Sequence, residues 1–225
     1  VIGDKIYAIG GFAGKGVLGV IEIFDVTRNS WSAPVVAGRF TPRGNHCAVV
    51  ANNKIYVMGG LNFDAKFINS VDVFDPATNS WSTLDTKGTY EGGEYCAPVA
   101  VGNKIYLFGG HQRKLNLKRV DVLDLATNTW TRLDPKGAYR NRASFNANLL
   151  NGKVYAIGGA NGDTFPAVVD VYVPASNTWT NPVYQGTYTG RLGLTCTTGN
   201  NKIYAIGGGA NGELLISNQV FTPAQ

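Results

Sequence analysis

Gly-Gly pairs stand at residues 10–11, 59–60, 109–110, 158–159 and 207–208, so the same dipeptide returns every 49 or 50 residues along a 225-residue chain. A tryptophan keeps the same interval at Trp31, Trp81, Trp130 and Trp179. Self-similarity of this length means that one supersecondary unit is repeated, each copy burying its apolar face against the next. The constraint is severe: whatever a single unit folds into, the whole chain must be an array of it.

One unit shows what the copies contain. After Arg43 comes the apolar run Cys47-Ala48-Val49-Val50, a turn at Asn52-Asn53, and then Lys54-Ile55-Tyr56-Val57-Met58 running into Gly59-Gly60. Other turns at this point are Gly3-Asp4, Gly102-Asn103, Asn151-Gly152 and Asn200-Asn201, residue types that tolerate positive φ, as a two-residue hairpin requires. A variable loop follows, then an alternating segment such as Val71-Asp72-Val73-Phe74 or Val120-Asp121-Val122-Leu123, whose period of two predicts a third strand. That strand ends at Asp75-Pro76-Ala77-Thr78-Asn79-Ser80, and a fourth starts at Trp81. Asn precedes each Trp by two residues, at Asn29, Asn79, Asn128 and Asn177. Gly follows seven residues after it, at Gly38, Gly88, Gly137 and Gly186, and an aromatic two later, at Phe40, Tyr90, Tyr139 and Tyr188. These aromatics are expected to pack between units with their polar tips hydrogen-bonded.

This pattern of apolar strand, Gly-Gly, spaced Tyr and Trp after an Asn-rich turn resembles the kelch family, in nearly five copies over essentially the whole chain. The resemblance implies an all-β fold: a kelch-type β-propeller of four-stranded antiparallel blades around a central channel, with residues 1–225 forming one domain. Kelch propellers usually have six or seven blades closed by strands from the two termini. The chain holds about five blade equivalents with incomplete terminal blades, which suggests either a five-blade ring or part of a larger one. It also opens on Val1 inside a strand-like run, which suggests processing or an excised fragment.

Composition narrows the function less than the fold. Net charge is +5, but Lys5, Lys54, Lys104, Lys153 and Lys202 share one repeat position and read as scaffold, so nucleic acid is not the expected partner. No apolar run is long enough to cross a membrane as a helix, and no leader is visible, so a cytoplasmic and a secreted location are both open. Cys47, Cys96 and Cys196 fall at nearly one repeat position and are expected to be buried free thiols. With only His46 and His111, at different repeat positions, neither a metal site, a cofactor nor a catalytic set is expected. Asp72, Asp121, Asp170 and Glu22 recur once per unit and read as sheet-face residues.

Function is expected where the copies differ, on loops held by the rigid array. The loop after Gly-Gly varies most, and its Phe63, Phe67 and Phe165 are candidate apolar anchors or local loop packing; His111 and Arg113 lie in the same loop of another unit. Twelve residues after each Trp stand Arg43, Gly93, Arg142 and Arg191. In kelch domains an arginine here commonly lines the partner face, which implies a cationic rim of Arg43, Arg142 and Arg191. The other reading is that these arginines tie the blades together through backbone carbonyls. Gly93 departs from the pattern, with Glu91 and Glu94 beside it. The expected activity is non-catalytic binding of a protein or peptide, with an acidic partner among those the arginines would suit. The alternative is a carbohydrate-binding or sugar-isomerising protein using the channel mouth.

Overall fold

A computed structural model describes residues 1–14 and 16–223. Among these residues every regular element is a strand. They form eight antiparallel sheets: five in chain order, numbered here as blades 1 to 5, and three two-stranded ribbons in the loops after Gly-Gly of blades 1, 3 and 5. Blade 2 is Cys47–Ala51, Lys54–Met58, Val71–Asp75 and Ser80–Leu84, each strand pairing with the next. Blade 3 (Ala97–Val101, Lys104–Phe108, Val120–Asp124, Thr129–Leu133) and blade 4 (Ala143–Leu150, Lys153–Ala160, Val169–Val173, Thr178–Thr180) repeat it. Blade 1 has three strands, Lys5–Ile9, Ile21–Asp25 and Ser30–Ser32, equivalent to the second, third and fourth. Blade 5 has the first three equivalents, Thr195–Gly199, Lys202–Ile206 and Asn218–Phe221. The first strands of blades 2 to 5 neighbour one another and so lie innermost.

Local chemistry sets each blade. The hairpin between first and second strands closes Ala51 against Lys54, with Asn52 and Asn53 at φ of 49° and 57°, the left-handed pair that matches strand twist. Asn151-Gly152 and Asn200-Asn201 do the same. Lys54 reaches Asp75 on the third strand at 3.0 Å and Lys104 reaches Asp124 at 3.8 Å, so these two of the repeated lysines are cross-strand surface partners.

The apolar core lies between blades. One cluster joins Val99, Tyr106, Phe108 and Val122 of blade 3 to Val154, Ala156, Tyr172 and Trp179 of blade 4. The chain that leaves one blade crosses the face of the next as a belt before becoming its innermost strand. Ala37 forms a parallel bridge to Ser80, Phe40 stacks on Trp81 at 4.7 Å, and the belt then enters Cys47–Ala51. Tyr90 on Trp130 and Tyr139 on Trp179 repeat the stack at 4.4 and 4.3 Å. The glycine seven residues after Trp is explained by this crossing: a Cβ on Gly38, Gly88 or Gly137 would lie 2.0 to 2.4 Å from the carbonyl oxygen of the next blade's Trp. The Gly-Gly pair meets the following blade too. Gly60, Gly110 and Gly159 each donate their N–H to the carbonyl of Gly93, Arg142 and Arg191.

One expectation about the aromatics fails. The hydroxyls of Tyr90, Tyr139 and Tyr188 and the indole N–H of Trp130 find no protein hydrogen-bond partner. Ring packing, not the polar tip, holds these side chains.

Candidate functional site

The belts and the loops after Gly-Gly emerge on the same end of the blade array, because the second strand runs back to where the first began. Arg43, Arg142 and Arg191 stand on the belts at this end, and all three are fully buried. Arg43 donates from Nη1 to the carbonyls of Gly59 and Ser70, from Nε to that of Thr41, and from Nη2 to the Asp72 carboxylate at 2.7 Å. Arg142 reaches Gly158, Ala156 and Asp170, and Arg191 reaches Gly207, Ser217 and the Gln219 side chain. The expected cationic rim therefore does not exist. A guanidinium has five donors in a planar fork, and here they go to carbonyls and to a carboxylate (Arg43, Arg142) or the Gln219 amide oxygen (Arg191) inside the arginine's own blade. Each arginine fastens its belt to the second and third strands. Burial lowers the Arg43 pKa, and Asp72 opposes that shift. Burial also raises the Asp170 pKa, against the pull of Arg142 and Arg140.

Blade 3 reaches the same end by another route. Gly93 leaves the clamp position empty, and Arg119, on the residue before Val120–Asp124, turns into the space. Its Nη2 bonds the Gly92 carbonyl and its Nε lies 3.0 Å from Asp121. Position 119 is Ser70 in blade 2 and Ser217 in blade 5. Glu91 lies 3.7 Å from Arg119 and 3.6 Å from Arg132, while Glu94 accepts from Asn45 at 2.7 Å.

Two residues past each clamp the chain turns through positive φ: Asn45 at 54°, Tyr95 at 56°, Ser144 at 56° and Gly193 at 63°. Backbone bonds link these four in sequence, from Tyr95 N–H to Asn45, Ser144 N–H to Tyr95 and Gly193 N–H to Ser144. They form a collar where the innermost strands begin. Beside it Tyr95, Ser144, Phe145 and Leu192 line a cavity of about 380 Å³. Burial, and secondarily the Glu94 carboxylate, raise the Tyr95 hydroxyl pKa.

Comparison with known proteins is decisive for the family. The model of the KLHDC2/KLHL20/DRC7 Kelch-repeats domain matches residues 1–216. The chain belongs to the kelch-repeat family. A solved structure, that of YjhT, superposes with a TM-score of 0.82 at 21% identity, over 99% of this chain and 79% of that one, a likeness in fold. A tRNA wybutosine-synthesizing protein 2/3/4 from Oryza sativa subsp. japonica is 38% identical over 66 residues. That match takes in 28% of this chain and 6% of the rice protein's length.

On this kelch scaffold the loops after Gly-Gly separate into support and display. Phe67 and Phe165 are half-buried: Phe67 bridges back to Leu61, and the Phe165 carbonyl lies against Gly190 of the adjoining belt. His111 is half-buried too, its Nδ1 sharing a hydrogen bond with Asn116 at 3.0 Å. Phe63, 72% exposed, and Arg113 stand at loop tips instead. Arg113 and Lys114 are the two turn residues between His111–Gln112 and Leu115–Asn116, at φ of 49° and 69°. The sequence reading missed Arg119, although Gly93 and Arg119 break the repeat in the same unit. It also missed the collar, whose four positions share a conformation and no residue type. Among the described residues no three His, Cys, Asp or Glu side chains cluster as metal ligands.

Proposed function

We propose that this kelch domain is a non-catalytic scaffold that presents its belt-and-loop end to a protein or peptide carrying acidic residues. The observation that supports the reading most is the Arg113-Lys114 tip. A two-residue hairpin turn of this kind normally uses Asn and Gly, because left-handed backbone costs most other residues about 1 kcal/mol or more each. Here both sites hold long cationic side chains, aimed into solvent beside exposed Leu115. Strain retained at a display position points to use of that position. Asp64 and Asp163 on the flanking loops confine the cationic character to blade 3, so the partner's acidic group is expected over that blade and its apolar group over Phe63. Peptide arrays probed with the protein test this: acidic-apolar sequences should be retained, and Arg113→Glu should release them. Equal retention by Arg113→Glu and Phe63→Ala variants would sink the reading.

A second reading rests on the cavity at the collar. An aromatic face at Tyr95, the Ser144 hydroxyl and the nearby Asn45 amide and Glu94 carboxylate are the groups that hold a sugar ring. A sugar-isomerising version would need the clamp arginines, which are buried and engaged, so binding of a neutral saccharide is the form that this observation favours. A glycan array separates it from the first reading, because Arg113→Glu would leave saccharide binding unchanged.

A further inference from the structure

The residue after each collar position is a wedge between blades: His46, Cys96, Phe145 and Leu194. Each packs on the Gly-Gly pair of its own blade. A Cβ on Gly60, Gly159 or Gly208 would meet the Cβ of His46, Phe145 or Leu194 at 2.9, 2.7 and 3.2 Å, and one on Gly110 would meet the Cys96 thiol. Three of the four also reach the first glycine of the preceding blade. A Cβ on Gly10 would lie 2.9 Å from His46 Cε1, on Gly109 2.8 Å from Phe145 Cε1 and on Gly158 2.5 Å from Leu194 Cδ2. Of these wedges only His46 can take up a proton near neutral pH. Its Nδ1 lies 3.2 Å from the Arg43 carbonyl, and the Phe40 ring stands edge-on to it at 6.3 Å. The same carbonyl accepts the Gly11 N–H at 2.9 Å, the bond that ties blade 1 to the belt of blade 2. The titratable groups around the ring are the Arg43 guanidinium from the belt, the Cys47 thiol from the innermost strand and Tyr7 of blade 1, which lines the same cavity. Asp72 is already engaged by Arg43, the Thr41 N–H and the Thr83 hydroxyl, and Glu94 by Asn45. Among the described residues no carboxylate bonds the imidazole.

We infer that His46 is an acid-sensitive latch between blades 1 and 2: taking up a proton opens this joint while the other joints hold. In the neutral ring Nδ1–H donates to the Arg43 carbonyl, and Nε2 carries no proton. A second proton creates a cation beside the Arg43 guanidinium, with the nearest carboxylate already spent. Burial first, and the Arg43 charge second, lower the His46 pKa, against a smaller pull from the Arg43 and Ile9 carbonyls. A folded-state value below the unfolded one means that the opened joint binds more protons. The joint is therefore at full strength above about pH 6.5 and weakens as pH falls below it. The phenyl and isobutyl wedges of the later joints have nothing to protonate. Asn45, the first collar residue, directly precedes His46 and donates to Glu94 of the next belt, so opening of the latch is felt at the loop end. The latch does not depend on which partner that end takes.

Hydrogen exchange of the Gly11 amide, followed by NMR on the 225-residue protein and corrected for the intrinsic rate, reads this joint directly. Lowering the pH from about 7.5 to about 5, still above the carboxylate range, should cut its protection about tenfold, the linkage expected for one pKa unit. The Gly110 and Gly159 amides make the equivalent bonds in the joints wedged by Phe145 and Leu194, and should keep their protection. His46→Phe places the side chain of Phe145 at the same position of blade 2 and should abolish the response of Gly11. His46→Leu, the side chain of Leu194, makes the same test should the Phe variant not fold. The chain has two histidines, so the imidazole signal missing from the variant's spectrum is that of His46, and its titration midpoint should lie below that of the unfolded chain. A Gly11 response that survives the substitution would overturn the inference. So would an equal response at Gly110 and Gly159, or a His46 midpoint at or above the unfolded value.

Discussion

Blades 2 and 3 solve one problem with different residues. In blade 2 the guanidinium comes from the belt, as Arg43, and a small Ser70 stands on the third strand's approach. In blade 3 the belt holds Gly93, and the guanidinium comes from position 119 instead. Both blades end with a buried arginine beside a buried aspartate, bonded to carbonyls of the belt or of the strand ends. What the repeat preserves is the contact, not its owner. The two forms differ in solvent access, however: Arg43 and Asp72 are sealed, whereas Asp121 also pairs with Arg132, which is half-exposed, and Arg119 also faces Glu91.

That difference sets the largest expected effect. Arg43→Ala removes the cation paired with buried Asp72, leaving it the Thr41 N–H and Thr83 hydroxyl bonds but no counter-charge, and should cost about 3–5 kcal/mol. Arg119→Ala leaves Asp121 its 2.8 Å bond to Arg132 and should cost nearer 1–3 kcal/mol. Denaturant unfolding of the two variants side by side reads both. Equal losses would mean that the blade 3 clamp is as closed as that of blade 2.

The ring stacks differ between blades in the same way. Trp130 is covered by Tyr90, and Trp31 has no belt. Trp130→Ala should cost about 3–5 kcal/mol, and Trp31→Ala under about 1 kcal/mol. A large loss at Trp31 would place it in a core.

The same contrast explains what could be read before the structure. Gly-Gly and the glycine seven residues after Trp are legible because, except at Gly11, Gly186 and Gly207, a Cβ there would come within about 3 Å of a neighbouring backbone, and Trp keeps the same phase. The arginines are legible as a repeat but not in direction: a guanidinium suits a carboxylate partner and a ring of carbonyls equally well. The deciding signal lay in Asp72, Asp121 and Asp170, which keep the same phase and supply the buried counter-charge. Phe67 and Phe165 could not be told from Phe63, because an aromatic in a polar loop looks alike in sequence whether it faces inward or outward.

The thiols form a smaller test of the closed interior. Burial pushes Cys96 up to about 11 and Cys196 up to about 12, and raises Cys47 as well. A folded-state pKa above the unfolded value means that the stabilising contribution is complete below about pH 8.5 and is lost as pH rises through the folded value. Stability should therefore fall between pH 9 and 11, less steeply in a Cys96→Ala variant. At pH 8 alkylation of Cys96 should be slower than in unfolded protein by about a hundredfold or more, since two pKa units remove that much thiolate. Rapid labelling in native buffer would show that the space between blades 2 and 3 admits solvent.

The smallest expected effect carries the most about function, because it has the opposite sign. The clamps place costly groups where they stabilise the blades, whereas Arg113 and Lys114 occupy backbone that disfavours them at an exposed tip. Replacing the pair by Arg113→Asn and Lys114→Gly gives the turn the residues its φ angles suit and should raise stability by about 0.5–1 kcal/mol. If the tip serves an acidic partner, the same double variant should weaken that partner by about tenfold, and wild-type affinity should fall with added salt. A gain in stability with binding untouched would separate the strain from the function and leave the site to Phe63 and the collar. A loss of stability would mean that the long side chains pack on Leu115 or Gln112, and that blade 3's hairpin is built like the clamp beneath it.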